Sequence, residues 1–554
     1  LGNLSIDGKF GASDSVSWYA PLRHLGRILK GGSQTLTGLN LTAQRSSELS
    51  TDWNIVQTAG PDISNGANYT NPAMATDDGR YAESQDYSGE VNVTLRTTKF
   101  LPVTWKAGVK SHLSVRDFKN DSESKLYTIN GFGTTGAWAN FRSPLEFNIG
   151  GTDNGAHLQS LSGGTIFVPD NVRMGAYFLE HPENFTHTMT ATNFYNAYVA
   201  NTRHYEETID AAYVMATASL GHLTARAGLR GEETSTDSLQ FNPRTPAEMA
   251  AAGFKETAGQ ATTIDGIAYQ YFSQPQIHRT GRYDSYFPSA SLKYQILQNL
   301  YAQFGFSSTI RRPTYSQVTG VWLINDTATP PTVTAPNPNL KPETSRNLSA
   351  RIAYYFEPVG SLAINFRQNT VDNLLISNRL TADEFGYTGP LDLSNYEFIT
   401  TTQSDTTKVL RGMSVEYRQS LSFLPQPLKG LGISASYTRS YANLPLSGVV
   451  PHSVQAGLNY SYRGLSLYGN MGWRSDYPTN TTPIYTSGST FNRHRTDLDI
   501  GGGYRFNARY SLFFSARNIT DAPYIRFTQT GTVARVTLFE QNHVNWLFGV
   551  KGEF

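Results

Sequence analysis

Residues 545–554 read NWLFGVKGEF and close the chain. Trp546, Phe548, Val550 and Phe554 share one parity, with Gly552 completing the row. Asn545, Gly549, Lys551 and Glu553 share the other, with Leu547 the exception. Chain ends are normally polar and frayed. An amphipathic strand that ends on an aromatic needs an apolar medium on one side and a pairing partner along its edge.

The same period-two pattern runs upstream. In YSLFFSARNIT, Tyr510, Leu512, Phe514 and Ala516 oppose Ser511, Ser515 and Arg517, with Phe513 out of step. In RTDLDIGGGYRF, Leu498, Ile500, Tyr504 and Phe506 oppose Asp497, Asp499 and Arg505. SVQAGLNYSYR and LSARIAYYFE alternate likewise. Such alternation marks half-buried strands. Tyrosine or phenylalanine recurs towards the ends of the apolar rows, as interface girdles of a membrane barrel require.

Connections sort by length. Leu220 to His222, Leu297 to Asn299, Glu357 to Ser361, Leu424 to Gly430, Arg463-Gly464 and Asn507 to Arg509 are short. Gly231 to Arg282, Thr309 to Thr344, Ser377 to Thr406, Asp476 to Phe491 and Asn518 to Gln541 are long and polar. Short periplasmic turns alternating with long extracellular loops define a transmembrane antiparallel up-and-down β-barrel. Six hairpins fall between 203 and 520, followed by one last strand. Upstream, a hairpin turns at Leu101-Pro102, NFYNAYVAN reads as helical, and QTLTGLNLTAQ reads as a strand. About 15 to 17 strands are legible in all. An open edge cannot stand in hydrocarbon, so the last strand is expected to pair with the first.

Composition agrees. Lys+Arg is 45 and Asp+Glu 44, which lacks the basic excess of a nucleic-acid binder. There is no cysteine, so thiolate metal sites, cysteine nucleophiles and disulfides are excluded. Tyr 32, Phe 29 and Trp 7 supply the girdles at a mean hydropathy of only −0.39. No apolar run approaches the roughly 18 residues of a membrane helix.

Residues 337–375, NPNLKPETSRNLSARIAYYFEPVGSLAINFRQNTVDNLL, resemble the barrel of a TonB-dependent outer-membrane receptor. There, an Asn-Pro-x-Leu-Lys-Pro-Glu loop leads into a strand, a short turn and the next strand. RGMSVEYRQSLSFLPQPLKGLGISASYT, SLFFSARNITDAPY and LFGVKGEF are similar to later elements of the family in the same order. The resemblance implies a barrel of about 22 strands, a Gram-negative outer-membrane location, and active import of a scarce nutrient with no cofactor. It implies as partners the TonB–ExbB–ExbD complex, acting through a plug, and the barrel-assembly machinery, which reads Trp546, Phe548, Val550 and Phe554. Membrane lipid, lipopolysaccharide and a surface lipoprotein complete the implied partners. Neither a plug nor its TonB-binding box is legible here. Residues 1–554 are therefore expected to be a barrel incomplete at its N-terminus, with 1–87 poorly assigned and 88–554 supplying strands and extracellular loops.

Arg351, Arg367, Glu416, Arg418, Asp497, Asp499, Arg505 and Arg517 lie on polar strand faces and are candidate lumen residues. Arg463 and Arg474 join them, and most of these arginines are expected to pair with Glu357, Glu416, Asp497, Asp499 or a plug. Asp497 and Asp499 would suit acid–base chemistry or a cation, but filling of a polar lumen is the simpler reading. Trp322, Tyr387, Tyr396 and Tyr485 are candidate loop contacts to a sugar or siderophore ring, with packing of the loops on themselves as the alternative. GFGTTG (Gly131, Gly133, Gly136) lacks the βαβ context of a nucleotide site and reads as a loop. No hydrolase elbow, P-loop or zinc-protease motif occurs. Near-neutral charge and aromatic loops favour an oligosaccharide over an anionic siderophore. A passive porin, a barrel enzyme or adhesin, and a soluble β protein are the competing classes.

Overall fold

The computed structural model describes residues 3–552 apart from 19–28, 51–52, 64, 77–78, 100, 121–124, 132–140, 142–146, 149–155, 158–164, 167–169, 258, 326–327, 390, 444–446, 480–488 and 531–532. Phe554, Tyr485, Gly133 and Gly136 lie outside the described residues.

Sixteen strands form one antiparallel sheet in chain order. They are β1 (Leu4–Trp18), β2 (Arg80–Thr97), β3 (Val103–Asn120), β4 (Arg203–Leu220), β5 (Leu223–Gln240), β6 (Ile277–Leu297), β7 (Leu300–Arg311) and β8 (Glu343–Phe356). The second half comprises β9 (Gly360–Asp372), β10 (Lys408–Ser420), β11 (Leu431–Ala442), β12 (His452–Tyr462), β13 (Leu465–Arg474), β14 (Arg495–Arg505), β15 (Tyr510–Arg517) and β16 (Asn545–Gly552). Each strand pairs with its chain neighbours, the up-and-down order of a membrane barrel. Register carries one face across the whole sheet: Phe304 opposite Ala350, Ala350 opposite Phe366, Phe366 opposite Met413. At its far end Phe514 faces Phe548. That apolar face is exposed in the isolated chain, with Phe548 69% and Val550 68% accessible, because its solvent is lipid.

Four expectations change. The strand at the N-terminus is Leu4–Trp18, and barrel sheet resumes at Arg80, so residues 1–87 already contain wall. QTLTGLNLTAQ supplies Asn40–Gln44, but to a small three-stranded loop sheet. The segment Gly231 to Arg282 is not all loop. β5 and β6 run on to Gln240 and back from Ile277, because their outward charges pair across the ladder: Glu233 with Arg282, and Asp237 with His278 at 2.9 Å. Lastly, β16 pairs with β15 and β1 with β2, and no ladder joins β16 to β1 among the described residues. The two ends meet instead through loops. Val536 N–H donates to the Glu48 carbonyl at 3.1 Å, and Arg535 Nε to the Glu48 carboxylate at 3.1 Å.

The parity exceptions have a steric cause. Phe513 turns to the polar face because Gly549, its partner on β16, leaves the space: a Cβ there would run into the Phe513 ring. Tyr468 covers Gly501 in the same way, its hydroxyl 2.5 Å from where a Cβ would stand. A ring laid over a glycine on the next strand fills the missing side chain and locks the register.

Candidate functional site

On the polar face, β8, β9 and β10 carry one network. Arg351 donates to Asn365 Oδ1 at 2.7 Å and to Glu416 at 3.4 Å. Asn365 Nδ2 in turn donates to Glu416 at 2.9 Å and to the Ser414 hydroxyl at 3.1 Å. Period-two register makes this assembly possible, since Arg351, Asn365 and Ser414 are lateral neighbours. Asp497 accepts from Arg495 at 2.6 Å and from Arg474 at 3.5 Å. Asp499 has no arginine partner among the described residues. It accepts the Asn518 N–H at 2.9 Å, capping the left-handed turn that Asn518 (φ 55°) makes after β15. Arg463 belongs to the turn between β12 and β13, where its guanidinium lies 5.2 Å over the Tyr462 ring. Arg367, Arg418, Arg505 and Arg517 share the polar face and have no ionic partner among the described residues. Their charge is available to an anionic surface placed inside the sheet.

The loop aromatics are differently placed. Trp322 and Tyr387 pack with Phe385 around the fully buried Phe398, and Tyr396 borders the same cluster. Trp322 meets Phe398 edge-on at 5.7 Å, and Phe385 stacks on it at 4.7 Å. These rings hold four short strands of loop together, so loop self-packing explains them. A neighbouring cluster gathers Tyr195, Val199, Met249, Ile267 and Tyr271. The Tyr195 hydroxyl donates to the Trp322 carbonyl at 3.0 Å and joins the two.

Two carboxylates escaped the sequence reading. Glu343, the Glu of NPNLKPE, is 5% exposed. It accepts from Arg311 at 2.6 Å and from the Leu375 N–H at 2.7 Å. Glu232 on β5 accepts from Arg230 and from Arg312, each at 2.6 Å, and so ties the start of the loop after β7 to the wall. The motif itself signalled the first. Only the fold brings residue 312 to residue 232.

Burial pushes the Tyr195 phenol up and the Tyr271 phenol up to about 12. An unfolded phenol ionises near pH 10. Between those values the folded core keeps a proton that the unfolded chain has lost, so its stability is full below about pH 10 and falls as pH rises towards 12. Protease resistance of the extracellular loops should therefore fall across that window. Tyr271→Phe, with no proton to lose there, should move the fall to higher pH; an unmoved profile would refute the assignment.

Sixteen antiparallel strands with a lipid-facing apolar side, a polar side, short turns at one end and folded loops at the other make a β-barrel of the Gram-negative outer membrane. The family model described as TonB dependent receptor-like, beta-barrel matches residues 25–519, and the chain belongs to that family. No protein with a curated description matches it. Among solved structures, it is similar to the ferripyoverdine receptor of the outer membrane of Pseudomonas aeruginosa, at 13% identity and a TM-score of 0.51, covering 100% of this chain and 55% of that one. It is also similar to the ferric-catecholate import receptor Fiu from Escherichia coli K12, at 11% identity and a TM-score of 0.49, covering 100% and 65%. The chain thus spans between about half and two thirds of those receptors' lengths.

Proposed function

We propose that this chain is the barrel of an active outer-membrane importer. A scarce nutrient binds among the extracellular loops and upper lumen, and the TonB–ExbB–ExbD complex supplies the energy to open a path past a plug. Family membership carries this reading. Arg367, Arg418, Arg505 and Arg517, without an ionic partner among the described residues, support it, since a plug with acidic edges would satisfy them. The barrel does no covalent chemistry. Trp546, Phe548 and Val550 form the outward row that the assembly machinery would read, and the apolar face meets lipid and lipopolysaccharide. A surface lipoprotein would sit on the loop clusters.

The nutrient we infer is an oligosaccharide. The inward rows of β11 and β12 are short, neutral and hydrogen-bonding: Ser434, Ser436, Thr438, Gln455, Asn459 and Ser461. That wall offers hydroxyl partners and no charge to hold an anion. A ferric siderophore is the second reading, favoured by the arginines without an ionic partner among the described residues and by the ferripyoverdine receptor that shares the fold. Uptake of labelled oligosaccharide and of labelled ferric siderophore by cells carrying the protein tests both. Active import predicts that uptake stops on adding a protonophore. Undiminished uptake would mean a passive pore.

A further inference from the structure

The inner faces of β4, β5 and β6 and the loop residues 313, 318–319 and 338–341 line a cavity of about 220 Å³. Its floor carries Tyr205 and Glu207 from β4, Thr236 from β5 and Tyr283 from β6; Thr319 and Lys341 face it from the loop. Three features mark it as a built site. The loop is anchored over it by the Arg312–Glu232 pair at 2.6 Å and by the Asn337 N–H on the Gln317 carbonyl at 2.8 Å. Gly281 keeps it wide, because a Cβ there would stand 2.8 Å from Thr236 Oγ1. Thr319, only 2% exposed, has a hydroxyl oxygen with no hydrogen-bond partner among the described residues. Leaving a buried hydroxyl unsatisfied costs about 1–3 kcal/mol, so the site is short of one polar atom.

We propose that this cavity binds one pyranose ring. At about 30 Å³ per water, its volume matches roughly seven waters, which is the scale of a single substituted six-membered ring. Tyr205, 8% exposed, and Tyr283 supply aromatic surface for the C–H face of a sugar. Thr236, Thr319 and Glu207 supply partners at different heights for its hydroxyls. Glu207, which accepts from the Tyr205 hydroxyl at 3.3 Å, accepts readily from a sugar hydroxyl, and Arg279 and Lys341, which also line the cavity, can donate to sugar oxygens. A site that hydrogen-bonds a hydroxyl discriminates strongly for it. This deepens the oligosaccharide reading by assigning one residue of the glycan to a named place, and its significance for import rests on that reading.

The test is titration of the detergent-purified protein with the methyl pyranosides of glucose, galactose and mannose, followed by saturation-transfer NMR. 2,3-Dihydroxybenzoate serves as the anionic contrast. At least one pyranoside should bind, Thr319→Val should weaken it tenfold or more, and Thr319→Ser should restore it. Binding of none of the three, or equal binding by Thr319→Val, would overturn the proposal and leave the cavity to water. Preference for dihydroxybenzoate would overturn the sugar class. Protonophore-sensitive oligosaccharide uptake separates the two readings. If it persists while pyranoside binding fails, the pocket falls and the importer stands. If pyranoside binding holds while uptake ignores the protonophore, the importer falls and the pocket stands.

Discussion

Phe398→Ala should unfasten the extracellular loops while leaving the membrane sheet intact. Phe398 is fully buried, and Phe385, Trp322 and Tyr387 pack directly on its ring. It lies on the strand Glu397–Ser404, which pairs antiparallel with Leu374–Leu380 and parallel with Thr332–Thr334. One side chain thus holds two loops, those after β7 and after β9. Truncating a buried phenylalanine costs about 3–5 kcal/mol, more than so small a cluster can lose and stay folded. Limited proteolysis should then cut within 373–407 in the variant and not in the parent, and the heat-resistant migration of the barrel should be unchanged. An unaltered cleavage pattern would show that Phe398 is not the keystone of this cluster.

Glu343→Ala should lower stability by about 1–3 kcal/mol, the usual cost of leaving a buried donor without its acceptor, while the largely exposed Arg311 returns to water. The carboxylate binds Arg311 and the Leu375 N–H, and the buried Lys408 interacts with the same charge. Removing it strands the Leu375 N–H and takes the nearby counter-charge from Lys408. Glu343→Gln keeps an acceptor for Leu375 and loses only the charge, so it should fall between the parent and Glu343→Ala in thermal unfolding. Equal stability of Gln and Ala variants would mean that the Leu375 hydrogen bond contributes nothing. The result bears on the NPNLKPE motif. Its Asn337 Nδ2 reaches the Thr401 carbonyl at 3.0 Å, and its Leu340 is buried. The motif joins the loop sheet to the start of β8, and the conversion from loop to wall happens at Glu343.

Which side of each strand meets lipid was legible without coordinates. Arg351, Glu416, Asp497 and Arg517 fall on one face of the sheet because side chains alternate strictly, and alternation is a property of the local chain. The connection lengths revealed the hairpins for the same reason. Partnership was not legible. Asp499 looked like the twin of Asp497, yet one caps Asn518 and the other holds two arginines. Trp322, Tyr387 and Tyr396 could be read either as ligand contacts or as loop packing, and only the structure shows that they pack a core, because loop side chains obey no period.

From about residue 203 onward the sequence by itself therefore determined the strands, their two faces and their order, since period two and turn length are written residue by residue. Only the tertiary structure decided what spans the interval between β16 and β1, which loops pack on which, and where an unsatisfied hydroxyl meets a cavity. Those are contacts between residues tens to hundreds of positions apart, Glu48 with Arg535 among them. Such pairs are selected by the shape of the folded whole, and no local pattern encodes them.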